Sequence, residues 1–228
     1  MSAKTPLRVL CLHGYRQNAV SFREKTGALR KVLKNRVELV YVTAPLEVPS
    51  SAETDNSKES GDKPPPPSAE SARGWWFSDA QQRSFHAGQE CEASLGLEQS
   101  VEVVRAAVRE QGPFDGILGF SQGAALVAML LSMQEQRQEP DLAFRFALII
   151  SGFRSACAQH TRFYGEAIAT PTLHVFGEQD GVIPIDMSKD LLTVFKEPTV
   201  LTHAGGHFVP AASAHKPVYL NFLQTFQK

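Results

Sequence analysis

Six short, nearly uninterrupted apolar runs punctuate the chain: Leu7 to Leu12, Val37 to Val42, Phe114 to Phe120, Phe146 to Ile150, Thr172 to Phe176 and Thr199 to Thr202. They lack the apolar-polar alternation of a strand with one wet face, so they read as strands covered on both sides, the condition of a parallel sheet. Between them lie longer stretches of helical character, Val20 to Leu33, Gly96 to Gln111, Gly123 to Gln136, Met187 to Phe195 and Ala211 to Phe226. Strand and helix alternating in this way predict an α/β fold with a mainly parallel central sheet and helices on both faces. With 228 residues, 43% hydrophobic and 21% charged, the chain fits a single domain over residues 1–228.

One segment breaks the rhythm. Residues 47–73 are rich in Ser, Glu, Lys and Pro, include four consecutive prolines at 64–67, and hold almost no large apolar side chain. Such a composition cannot bury a core, so an exposed, poorly ordered loop is expected there, an inert linker in preference to a polyproline docking site. Directly after it comes Gly74-Trp75-Trp76-Phe77, which contains both tryptophans of the chain. An aromatic cluster beside such a loop either pins it to the core or lines an apolar ligand groove.

The formal net charge of −1 leaves no electrostatic footprint for nucleic acid or an anionic membrane, and a small or neutral molecule is the expected partner. The three cysteines, Cys11, Cys91 and Cys157, are odd in number and lack metal-ligand spacing, which fits a reducing compartment. The first residues lack a signal-type apolar region, and no stretch approaches 18 consecutive apolar residues. The expectation is a protein of the cytoplasm, with the nucleus as a further compartment.

Gly119-Phe120-Ser121-Gln122-Gly123 falls where an apolar strand turns into a small-residue helix, the context of a nucleophile elbow. The tight turn lifts the serine hydroxyl above the sheet, and the flanking glycines let strand and helix pass closely. The new helix offers unpaired N–H groups and a positive dipole end to an oxyanion. This is the chemistry of acyl transfer with Ser121 as nucleophile. A serine needs a base, and the base needs a carboxylate to fix its tautomer; in the α/β-hydrolase order both follow the serine, at the ends of later strands.

Asp180, in the turn Gly177-Glu178-Gln179-Asp180-Gly181, is the candidate acid, with Glu178 as its local rival and Asp186 read as a helix N-cap. His207, after Gly205-Gly206, is the candidate base; His203, at the strand end, reads as structural, and the reverse assignment stays open. For the oxyanion, one donor is the Gln122 backbone N–H. The second belongs to the loop Leu12-His13-Gly14-Tyr15-Arg16-Gln17, assigned to Tyr15 with Arg16 as the near alternative. Trp75, Trp76, Phe77 and Phe208 are the candidate acyl-chain wall. The chemistry calls for neither cofactor nor metal, and no Gly-x-Gly-x-x-Gly follows the first strand to hold a dinucleotide.

These motifs, with Phe176-Gly177-Glu178-Gln179-Asp180 and Gly205-Gly206-His207-Phe208-Val209-Pro210, together resemble the FSH family of serine hydrolases over nearly the whole chain. The resemblance implies a Ser121, Asp180, His207 triad and hydrolysis of carboxylic esters with long, unbranched acyl or alkyl chains. Thioester or acyl-protein cleavage is the alternative on the same residues, and a non-catalytic sensor is a further one. The segment 47–73 departs from the family motifs and leaves protein partners open.

Overall fold

The computed structural model describes residues 5–49 and 72–227. Six strands form one wholly parallel sheet: β1 (Leu7–Leu12), β2 (Val37–Val42), β5 (Gly116–Phe120), β6 (Phe146–Ile150), β7 (Thr172–Gly177) and β8 (Thr199–His203). Their spatial order is β2-β1-β5-β6-β7-β8, so β5 is central and inherits neighbours on both sides. All five residues of β5 and of β6 are buried, as their unbroken apolar sequence requires.

Successive strand residues point to opposite faces, and two cores result. Leu10, Leu12, Ile117, Ala147 and Ile149 pack beneath α3 (Leu97–Gln111), α4 (Gln122–Glu135) and α5 (Ile185–Leu192). Val9, Cys11, Leu118, Phe120, Leu148, Ile150 and Val175 pack against α1 (Ala19–Lys25), α2 (Gly27–Leu33) and α6 (Lys216–Gln224). The helix α4 is buried from Gln122 through Met133, which explains why its apolar residues run all the way round rather than in a stripe.

Several boundaries differ from the sequence reading. The expected helix Val20 to Leu33 is two helices broken at Thr26, whose hydroxyl donates to Phe22 O at 2.8 Å and competes with the helical ladder just before Gly27. The last helix begins at Lys216 with Pro217 in its first turn, five residues later than Ala211. At α5 the cap position is Pro184, and Asp186 lies in the first turn instead. A 3₁₀ segment, Ala158–Tyr164, carries no periodic signal and was not anticipated.

Most of the expected 47–73 loop, residues 50–71, lies outside the described residues. Its two ends do not behave as loop: β3 (Leu46–Glu47) pairs antiparallel with β4 (Arg73–Gly74), and Arg73 Nη2 meets Glu47 Oε1 at 3.0 Å. Val48 N–H also donates to Ala72 O at 2.9 Å.

Candidate active site

The strand β5 and the helix α4 meet at Ser121, which adopts φ 55° and ψ −118°. For a residue with a Cβ this backbone costs of order 1–3 kcal/mol, and the surroundings enforce it. Ser121 N–H donates to Ile150 O at 2.9 Å, and a Cβ on Gly123 would lie 2.3 Å from Leu12 O. Only glycine at 123 lets the start of α4 press on the end of β1.

The loops after β7 and β8 are zipped together. Glu178 N–H donates to His203 O at 2.8 Å and Gln179 N–H to Gly205 O at 3.1 Å. Farther along, Tyr219 Oη of α6 donates to Pro210 O at 2.9 Å and holds the return of the β8 loop. Between these fastenings His207 faces both partners. Its Nδ1 lies 2.7 Å from Asp180 Oδ2 and its Nε2 lies 3.0 Å from Ser121 Oγ. A carboxylate only accepts, so Nδ1 carries the proton and Nε2 is free to take one from the serine. The Phe120 ring, 4.7 Å away between centroids, lies against the imidazole.

Asp180 is buried, and its Oδ1 accepts from Val182 N–H at 2.9 Å and Ile183 N–H at 2.8 Å. Burial alone would raise its carboxyl, but the bonds from His207, Ile183 and Val182 outweigh it and hold the group below the ordinary carboxylate range. Glu178, the local rival, is exposed. His203 is buried, takes Gly205 N–H on its own Nδ1 at 3.2 Å, and touches neither Asp180 nor Ser121 by hydrogen bond.

A cavity of about 390 Å³ opens over the serine, lined in part by Tyr15, Phe85, Ala87, Phe120, Val182 and Ile183, together with Ser121 and His207. A Cβ built on Gly14 would be 3.4 Å from the Ser121 Cβ, which brings the β1 loop to the nucleophile. The Arg16 N–H, considered as an oxyanion donor, is engaged by Arg73 O at 2.8 Å, whereas the Tyr15 and Gln122 amides have no hydrogen-bond partner among the described residues.

The aromatic wall differs from expectation. Trp75, Trp76 and Phe77 are fully buried and lie behind the cavity: Trp75 bonds the β1 loop, Trp76 packs edge-on against Phe85 at 5.2 Å, and Phe77 joins Leu46 and Val48. All three side chains belong to the core and none is part of the cavity lining. Phe208 is half exposed and leans on His203, away from the cavity lining. The residues missed, Phe85 and Ala87, sit in an irregular segment with no periodicity to mark it. Val182 and Ile183 could have been found, because the two N–H groups that must cap a buried Asp180 come from the next few residues.

A serine hydrolase family model, FSH1, matches residues 1–218. The chain belongs to the FSH serine hydrolase family. Among similar proteins, Esterase OVCA2 of Danio rerio is 60% identical over 228 residues, covering all of both chains, and Esterase OVCA2 of Homo sapiens is 43% identical over 99% of each. Solved structures share the fold at lower identity. Arabidopsis thaliana SOBER1 matches with a TM-score of 0.63 at 15% identity, over 97% of this chain and 99% of that one. Zea mays acyl-protein thioesterase 2 matches with a TM-score of 0.63 at 15% identity, over 97% and 94%. The FSH chain thus has an α/β-hydrolase architecture, and no helix among its described residues is long and apolar enough to cross a membrane.

Proposed function

We propose that this protein hydrolyses carboxylic esters with long, unbranched acyl or alkyl chains through a Ser121 acyl-enzyme. The observation that carries the reading is the relay of 2.7 Å from Asp180 to His207 and 3.0 Å from His207 to Ser121, opening directly on an apolar-walled cavity. The naming of relatives at 43–60% identity as esterases supports the same class.

His207 Nε2 takes the hydroxyl proton as Ser121 Oγ forms its bond to the carbonyl carbon. Asp180 stabilises the imidazolium, and the Tyr15 and Gln122 amides receive the oxyanion. The imidazolium returns the proton to the departing alkoxide, an alcohol leaves, and water repeats the cycle to release the acid. The free hydroxyl is thereby restored with water as the one co-substrate.

Chain-length preference follows from the wall. Tyr15, Phe85, Ala87, Phe120, Val182 and Ile183 remove acyl methylenes from water, each worth about 0.8 kcal/mol, or roughly fourfold in kcat/KM. The test is kcat/KM for para-nitrophenyl esters from acetate to myristate, with matched thioesters alongside and Ser121→Ala as blank. Rates that climb with length, vanish in Ser121→Ala and favour the oxygen ester support the reading. Equal rates for both proteins, or a strong preference for thioesters, count against it.

A further inference from the structure

In the loop after β1 the Tyr15 backbone donor has no partner among the described residues, while those on either side of it are held. Gly14 N–H donates to Gln17 Oε1 at 3.2 Å, Arg16 N–H to Arg73 O at 2.8 Å and Gln17 N–H to Gly14 O at 3.2 Å. Among the described residues the Tyr15 amide has no such partner, and Tyr15 lines the same cavity as Ser121. In a trans peptide the C=O and the following N–H point in opposite directions in one plane, so whatever grips the Gly14 carbonyl aims the Tyr15 N–H.

His13 grips it. Its Nδ1 lies 2.7 Å from Gly14 O, while its Nε2 accepts from Ala44 N–H at 3.0 Å. These partners admit one tautomer, the neutral ring with the proton on Nδ1. Burial, opposed by the Gly14 bond, pulls His13 down to about 4, so the ring stays a neutral donor near pH 7.

Behind His13 stands Trp75. Its indole N–H donates to His13 O at 2.7 Å, and the two rings lie 5.0 Å apart. The Trp75 backbone is fixed in turn on α3 and α4: Ser100 Oγ donates to Trp75 O at 2.5 Å, and Trp75 N–H donates to Gln122 Oε1 at 2.9 Å. Gln122 Nε2 completes the clamp on Trp76 O at 2.7 Å. One residue is therefore joined to both amides assigned to the oxyanion, to Tyr15 through His13 and to Gln122 through its side chain.

We propose that Trp75 is a positioning residue for transition-state stabilisation, its indole N–H and its backbone together setting the separation and aim of the Tyr15 and Gln122 amides. The inference rests on the proposed esterase reading. It gives Trp75 a role in turnover in place of the ligand contact expected of it.

The experiment compares Trp75→Phe, which keeps a ring in the core but loses the indole donor, with the unaltered protein. Active sites are counted by fluorophosphonate titration, so misfolded material drops out. Turnover per titrated site is expected to fall about tenfold with KM unchanged, less than the ~100-fold typical when an oxyanion donor is deleted outright. Affinity for an alkylboronic acid, whose tetrahedral serine adduct places a hydroxyl among the oxyanion donors, should fall by a similar factor. Gln122→Met, which removes the clamp from the other side, should show the same split.

Full turnover per site and full boronate affinity in both variants, with only a lower Tm, would overturn the proposal, as would failure of both to fold. An unaltered protein inert toward every ester overturns the esterase reading itself. Loss confined to the variants separates the two.

Discussion

At the scale of single residues, Asp180 carries the sharpest consequence. Its carboxyl is held below the ordinary range by donors from His207, Ile183 and Val182, so it is ionised throughout the neutral range. Asp180→Asn replaces an acceptor with an amide that can present an N–H to His207 Nδ1 and thereby favour the wrong imidazole tautomer. A fall in kcat of about 10⁴ is expected, read from ester turnover per folded molecule with the fold checked by circular dichroism; a loss below tenfold would remove Asp180 from the relay. That Ser121, Asp180 and His207 would come together was legible in the sequence, because each follows an apolar strand and is flanked by turn-forming glycines. Trp75 was legible only as important. Nothing in its neighbourhood distinguishes a ring that faces a ligand from one whose N–H is spent on a carbonyl 62 positions away.

Among elements, the junction of β5 and α4 decides the site, because α4 must start within contact of β1. A Cβ on Gly123 would meet Leu12 O at 2.3 Å and His13 O at 2.5 Å, both backbone atoms with nowhere to go. Gly123→Ala should therefore cost more than about 3 kcal/mol or abolish folding, whereas Gly165→Ala, with nothing within 4 Å, should be neutral. Thermal melts of the pair check this, and equal Tm values would show that the junction is slack. The six strands of the parallel sheet were read to within two residues from hydrophobic runs alone, since burial on both faces leaves few other sequences possible. The ends of α3 and α4 were read to within one residue, but those of α1, α2 and α6 were not, because a hydroxyl at Thr26 and a proline at 217 act locally against a periodicity that continues through them.

Over the whole molecule, three buried histidines tie stability to pH. Burial lowers His13 to about 4, His160 to about 4 and His174 to about 3, against an ordinary value near 6.5. Below 6.5 the unfolded chain therefore binds more protons than the folded one, so stability is fully present above that value and is lost as pH falls toward 4. His13 alone accounts for about 3 kcal/mol across that window. Tm should be level from pH 7 to 8 and drop steadily below 6.5; a level curve down to pH 5 would mean these rings protonate without unfolding. The ribbon of β3 and β4 has a separate consequence. It ties residue 47 to residue 73 and so seals the described core from whatever lies between them, yet β4 runs straight on into Trp75. Tension on the downstream end of that stretch would have a two-residue path to Trp75, the residue proposed to aim the donors for negative charge.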